Sequence, residues 1–542
     1  MIFQKVLLFN QVQFRQRFQL PEVRPTLVIY PVQFKISALR QQAAHRNMYQ
    51  ILLLFFGKFL TDITQFLDTD QEQHAFEVGF FSKSFKQLFF EFPPSRLYVV
   101  VYVHAQNYAF ENRQGYICAM LQLSFIRQNA DLVKERLRVK HFKESEVVDQ
   151  LIILDDEKRK VQLESENIQS QANAISKEIG KLMGQGKKDE ATARRQEVEA
   201  LNTSMKPLRA KLDELESTLN DLLVRLPNLP STEVPEGRTP EDNVVVREGG
   251  TIPSLPENAL PHWDLAKKFR LIDFDLGNKV TGSGFPFYVG NGARFQRSLI
   301  QYFLNYNTSA GYLEFQPPYM VNESSAYGTG QLPDKEGQMY HVTADEFYLI
   351  PTAEVPVTNI YRDEILKESD LPVKMTAYSP CFRREAGSYG KDVRGLNRLH
   401  QFDKVEVVQL VAPEKSYDTL NEMVAHVEKL VQSLELPYRI LKLCGGDMSF
   451  ASALTYDFEV YSAAQKKWLE VSSVSNFEAF QTNRMKIRYK GTSGKTQLVH
   501  SLNGSSLALP RILAALMENN QTPEGIRVPT ALQPYFGAQV IS

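Results

Sequence analysis

The sequence predicts an α+β protein, in which a long antiparallel coiled-coil α-hairpin precedes a domain of mixed helices and antiparallel strands. Three observations lead there. Apolar residues repeat every seven positions through residues 147–226, with a single break. Proline-rich sequence then ends that periodicity and continues to Pro261. Beyond Trp263, short β-rich runs such as residues 404–411 and 468–474 alternate with helical stretches.

The bulk properties restrict the choice of function. A chain of 542 residues exceeds one core and points to two to four domains. A net charge of −1 advertises no nucleic-acid partner, although positive charge can still be confined to one groove. The cysteines Cys118, Cys381 and Cys444 form no CxxC pair, which argues against a disulfide framework or structural zinc and fits a reducing cytosol. The strongest apolar run, residues 51–60, contains Lys58 and is about half the length of a membrane span. No membrane-spanning helix is expected.

The elements follow in order. Residues 1–119 hold half of the chain's 34 phenylalanines, are rich in glutamine, and show no sustained period of 2 or 3.6. Before Asp62, Glu22 is the lone acid. An extra domain, a targeting segment and upstream sequence read from a wrong start all remain open on composition. In the hairpin, Leu154, Val161, Ile168, Ile175 and Leu182 form the first helix's row. Gly184, Gly186 and their polar neighbours make the turn. Val198, Met205, Leu212 and Leu219 then run beside Leu201, Leu208, Leu215 and Leu222. Two helices of roughly 35 residues give an arm about 50 Å long, with a local kink expected at Pro207. Heptads alone are equally served by a spacer or a dimerisation coil.

Three stretches of the last piece carry chemistry. The first is GYLEFQPPYM, residues 311–320, by itself only a turn and strand entry. The second is CFRREAGSYGKDVRGLNRLHQFDKVE, residues 381–406, a loop punctuated by Gly387, Gly390 and Gly395. Its Arg383, Lys391, Arg394 and Arg398 suit phosphates or an RNA backbone, and equally a solvated hairpin. The third is LNGSSLALPR, residues 502–511, which puts Arg511 at the start of an apolar helix, where an anion is favoured. The run GTSGKT, residues 491–496, is not a phosphate loop, because the first glycine of that motif would have to replace Tyr489.

In this order and spacing the three stretches resemble motifs 1, 2 and 3 of class II aminoacyl-tRNA synthetases. Thr352-Ala353-Glu354, the string RLHQFDKVE, Glu470-Val471-Ser472-Ser473 and SLNGS at residues 501–505 are similar to the seryl-tRNA synthetases specifically, of the bacterial type without the zinc-binding variant's ligands. The opening MLQLSFIRQNADLVKERL at Met120, the long hairpin and PEGR from Pro235 also match that family. The resemblance spans residues 120–542. It implies a tRNA-binding arm over 120–230 and, over 231–542, a class II catalytic domain, an antiparallel β-sheet flanked by helices. Met120 falls where family members begin, so residues 1–119 are expected to be an atypical extension outside the functional protein.

The resemblance also implies a reaction and its residues. Serine is activated by ATP to seryl-adenylate and passed to the 3′ end of tRNA(Ser), and in this family also of tRNA(Sec). Thr352, Ala353, Glu354, Glu406 and Ser505 would bind serine. Arg383, Arg384, Glu385, Arg398, Phe402, Glu470, Val471, Ser472, Ser473 and Arg511 would bind ATP, with Phe402 and Arg511 on the two faces of adenine and Arg383 on the α-phosphate. Glu470 and Ser473 would hold Mg²⁺. Lys187, Lys188, Arg194 and Arg195, near the hairpin tip, are candidates for tRNA contact, and equally solvated helix charges. A cytoplasmic homodimer formed through motif 1 is implied, with no membrane role. Two departures stand out: Gly284-Phe285, where many members have arginine before phenylalanine, and Pro510, where glycine is common. The alternative is a catalytically impaired paralogue acting as an RNA-binding or regulatory protein. That would predict loss of Arg383, Glu470 or Arg511, and all three are present.

Overall fold

The computed structural model describes residues 77–81, 87–92, 97–102 and 122–542, apart from 335, 387–393 and 493. Most of the N-terminal stretch, with Met120, lies outside the described residues, as do Gly387, Gly390 and Lys391 of the glycine-punctuated loop. The chain divides into two units, Met1–Gln114 and Gly115–Ser542. In the first, β1 (Glu77–Phe81), β2 (Gln87–Phe92) and β3 (Leu97–Tyr102) pair as an antiparallel meander. A run such as LYVVVY makes a strand through β-branched and aromatic content, which a search for alternation passes over.

The second unit begins with α1 (Leu123–Gln128) and α2 (Ala130–Val139), which pack at the root of the hairpin. The hairpin itself is α3 (Val147–Gly184) and α4 (Lys188–Leu223). Gly186 turns the chain at φ +77°, a conformation that glycine adopts without steric cost. The predicted heptad rows meet along the seam. Leu154, Val161, Ile168 and Ile175 are half-buried, and Met205, Leu215 and Leu219 are buried. Lys158–Glu216 at 2.9 Å and Arg194–Glu178 at 3.5 Å bridge the two helices. Helix α4 runs unbroken through Pro207, so the expected kink does not interrupt it. Three side chains fasten the root. Lys140 Nζ donates to the carbonyls of Ser449 (2.8 Å) and Ser452 (2.6 Å). Arg136 Nε reaches Pro230 O at 2.9 Å, and Asn228 Nδ2 reaches Phe477 O at 2.9 Å.

The rest is built on an eight-stranded sheet. Its strands are β4 (Val244–Gly249), β5 (Leu313–Phe315), β6 (Val373–Phe382), β7 (Gln401–Val411), β8 (Tyr438–Lys442), β9 (Leu454–Ser462), β10 (Lys467–Glu478) and β11 (His500–Ala508). They lie in the order β4-β8-β9-β10-β11-β7-β6-β5. All neighbours are antiparallel except β6 and β5. Helices α5 (Asn291–Ser309), α6 (Ser416–Ser433) and α7 (Leu509–Asn519) pack on it through Phe295, Leu299 and Phe303, Met423 and Val427, and Ile512 and Leu516. These spacings of four residues keep each apolar stripe on one helix face. A second core, with Ala353, Val357, Met375, Val408 and Ile487, packs the short helix Glu354–Thr358. Alternation along β6 and β7 feeds both cores, with Val405 and Val407 in the first and Val408 and Leu410 in the second.

Candidate active site

Glu406 lies in the middle of β7, opposite Ser505 of β11 and Ala377 of β6, and is 2 % exposed. Lys404, two residues earlier and therefore on the same strand face, places Nζ 2.5 Å from Glu406 Oε2. Ser505 Oγ donates to the same oxygen at 3.4 Å. Glu354 opens the helix Glu354–Thr358 and is 5 % exposed; its amide donates to Thr352 Oγ1 at 3.3 Å. Gln481 Nε2 donates to Glu354 Oε1 at 2.5 Å, while Ser501 Oγ donates to Gln481 Oε1 at 2.7 Å and so fixes which end of the amide faces the acid. Burial and then the neighbouring Glu406 charge push the Glu354 carboxyl up to about 7. Thr352, Ala353, Glu354, Glu406 and Ser505 are all buried.

Toward the end of β6 and the start of β7 the side chains become charged and more open. Arg383 extends over the Phe402 ring, 5.2 Å from its centroid. Glu385, at φ +52°, is ion-paired with Arg398. Arg384 is exposed. Arg511, in the first turn of α7, donates from Nε to Asn397 O at 3.1 Å and from Nη1 to Glu470 O at 2.8 Å, with the Glu470 carboxylate 3.6 Å away. Pro510 fits that first turn because no helical N–H is needed there. Two expected residues turn elsewhere. The Val471 side chain is in the main core, and Ser472 Oγ donates to Ser505 O at 2.6 Å.

Glu470 is half-exposed and Ser473 partly buried. Asp457 of β9 faces Ser473 in the strand register, and its Oδ1 is buried without a hydrogen-bond partner. Burial and the Glu470 charge hold its carboxyl well above the usual carboxylate range. Among the described residues no group of three His, Cys, Asp or Glu side chains is placed to hold a metal. A cation here would therefore depend on two acids, one hydroxyl and oxygens from a ligand or water, which is chemistry that suits Mg²⁺.

Sequence reasoning missed Lys404, Gln481, Asn503 and Asp457. Lys404 and Asn503, which hydrogen-bonds Glu354, stood inside quoted motifs and were legible from strand period and position. Gln481 and Asp457 carried no local signal. Gly284, at φ +84°, is explained by crowding: a Cβ there would lie 2.5 Å from His400 Cδ2, while Phe285 stacks on His400 at 5.4 Å. The GTSGKT run connects the paired strands Arg488–Lys490 and Thr496–Leu498, an arrangement unlike the strand-to-helix turn of a phosphate loop.

Comparison with known proteins bears on the whole second unit. A family model described as the seryl-tRNA synthetase N-terminal domain matches residues 120–230, and one described as the tRNA synthetase class II core domain (G, H, P, S and T) matches 340–520. The serine–tRNA ligase of Salinibacter ruber is 50% identical over 420 residues, 77% of this chain and 98% of that protein. The chain belongs to the seryl-tRNA synthetase family. The serine–tRNA ligase of Neisseria meningitidis serogroup C is 46% identical over 426 residues, again 77% of this chain and 98% of that one. Among solved structures, a seryl-tRNA synthetase from Pyrococcus horikoshii complexed with ATP superposes with TM-score 0.72 at 33% identity, covering 78% of this chain and 99% of its own. The cytoplasmic serine–tRNA ligase of Naegleria fowleri in complex with AMP gives 0.69 at 27% identity, covering 78% and 98%. Nothing in these comparisons favours the impaired-paralogue alternative.

In this synthetase the hairpin tip carries two kinds of cation. Lys187 pairs with Glu190 at 3.1 Å, and Arg194 with Glu197 at 2.7 Å as well as with Glu178. Lys188 and Arg195 are exposed and have no recorded ion pair among the described residues.

Proposed function

We propose that this serine–tRNA ligase works through two adjoining regions, a buried serine pocket and a more open nucleotide site. The observation that carries the reading is the pair of buried acids, Glu354 and Glu406, lying where β6 and β7 lead into the arginine-rich strand ends. Glu354, steadied by Thr352 and Ala353, takes the serine ammonium. Glu406 and Ser505 take its hydroxyl. A pocket that accepts the hydroxyl hydrogen leaves an acceptor unpaired when alanine binds, so selectivity follows from the cost of burying that acceptor. Arg383 and Arg384 meet the α-phosphate side of ATP, Phe402 and Arg511 hold adenine, and Arg398 assists once it releases Glu385. Val471 and Ser472 contribute through backbone.

The serine carboxylate, already ionised, attacks the α-phosphorus and pyrophosphate leaves, so alignment and charge neutralisation replace a catalytic base. Glu470 and Ser473 are the residues that would hold Mg²⁺, and the orphaned Asp457 oxygen beside them fits a nearby cation. When bound, the ion supplies positive charge against the phosphates. The 3′-hydroxyl of tRNA(Ser) then attacks the seryl carbonyl of the adenylate, and AMP leaves as the ester forms. We assign the arm to 120–230 and the catalytic domain to 231–542, with 1–119 outside the working unit. Dimerisation through motif 1 is supported by β5, which forms an open edge of the sheet with Leu313 62% exposed. Among the described residues no helix is long and apolar enough to cross a membrane, and the buried free thiols Cys381 and Cys444 suit the cytoplasm we assign. Amino-acid-dependent ATP–pyrophosphate exchange tests the reading: exchange should depend on serine and be far weaker with alanine. Exchange that follows another amino acid in preference to serine would reject it.

A further inference from the structure

The two acids of the serine pocket differ in their partners. Glu406 Oε2 receives Lys404 at 2.5 Å and Ser505 at 3.4 Å, and no donor is recorded on its Oε1 among the described residues. Glu354 is hydrogen-bonded by neutral amides, Gln481 at 2.5 Å and Asn503; the Lys404 charge reaches it through space, and it makes no ion pair among the described residues. Two buried carboxylates and one buried ammonium leave room for one more positive charge, because uncompensated charge is costly in such a site.

We propose that Lys404 tells the two ends of serine apart, by neutralising Glu406 so that Glu354 receives the substrate ammonium and Glu406 Oε1 is left to accept the hydroxyl. The inference rests on the serine-site reading above. Without Lys404 the two acids become equivalent hosts for a cation, and serine has a second, reversed way to bind. The ammonium of Lys404 also excludes a substrate that carries a second amine in place of the hydroxyl. Lys404 acts through Glu406 and is a positioning residue. A lysine that merely stapled β7 to its neighbours would affect stability and overall rate without changing which side-chain group is accepted.

The test is pyrophosphate exchange with serine and with 2,3-diaminopropionate, which is serine with an amine replacing the hydroxyl, in the wild type, Lys404→Met and Lys404→Arg. In Lys404→Met the KM for serine should rise while that for ATP holds. The preference for diaminopropionate over serine should rise by about tenfold or more. Lys404→Arg should keep the wild-type preference. An unchanged ratio of the two substrates in Lys404→Met overturns the proposal. If that variant fails to fold, Lys404→Met combined with Glu406→Gln removes both charges. It should again exclude diaminopropionate, and acceptance there overturns the proposal. Glu406→Gln alone separates the two layers. If it leaves the serine/alanine ratio intact, the site reading fails; if it lowers that ratio while Lys404→Met leaves diaminopropionate excluded, only the role of Lys404 fails.

Discussion

The hairpin and the eight-stranded sheet solve opposite problems with the same chain. In α3 and α4 the apolar contacts follow a seven-residue repeat, much of the seam is only half-buried, and charges such as Lys187–Glu190 pair within one turn. In the sheet, Glu406 meets Ser505 and Glu354 meets Gln481, contacts 99 and 127 residues apart in sequence. A quasi-linear arm suits a long ligand touched mainly along its backbone. A buried cluster of polar side chains drawn from distant strands suits a small ligand recognised at both ends. From that difference we propose that adenylate formation and transfer to tRNA can be separated by changes to the arm.

The strongest way to break that separation is to replace residues 154–222 by a short linker. Transfer to tRNA should fall by orders of magnitude, while serine-dependent pyrophosphate exchange stays near normal, since the assigned chemistry begins beyond residue 350. Parallel loss of both in a folded protein would make the arm part of the catalytic fold. Next, Glu406→Ala should cost about 2–4 kcal/mol in transition-state binding of serine. The serine/alanine ratio should drop with little change in ATP dependence. Because the alanine strands the buried Lys404 ammonium, a thermal melt of the same variant should show lower stability.

A pH series sharpens the contrast further. The Glu354 carboxyl is raised from 4.5 to about 7, so the folded chain keeps a proton that the unfolded chain releases. This group's contribution to stability is therefore present below 4.5 and is lost as pH rises to about 7. Serine's ammonium needs the ionised form, so kcat/KM for serine should fall about tenfold per pH unit below that value. Added serine should raise the melting temperature more above pH 7 than below it. Glu354→Gln should weaken serine binding and flatten that slope; a slope that persists in the variant removes Glu354 from the role. The smallest effect belongs to the arm. Replacing Lys188 and Arg195 by alanine should raise the KM for tRNA a few-fold and lower its salt dependence by roughly one unit of slope per lost phosphate contact. Lys187 and Arg194, already paired with Glu190 and Glu197, should matter less, and the reverse ranking would misplace the contact surface.

Local pattern carried the sequence a long way. Heptads named much of the hairpin seam because a helix pair is specified by its own periodicity, although the buried Leu151, Ala172, Ala191 and Leu223 lay outside the rows. The strand-like run from residue 404 to 411 falls within β7, and the helix start at Arg511 was legible from the apolar run behind it. The sequence could not show that Val471 would turn into the core, or that Gly284 must lack a Cβ to clear His400. Nor did it show that Gln481 and Asn503 would converge on Glu354, or that Asp457 would face Ser473 across two strands. The pairings among these join residues 16 to more than a hundred positions apart, and their energies arise from burial and charge proximity that exist only once β7, β9, β10 and β11 have paired. Periodicity is a property of neighbours along the chain; the division of roles between two buried acids is a property of which strands lie side by side.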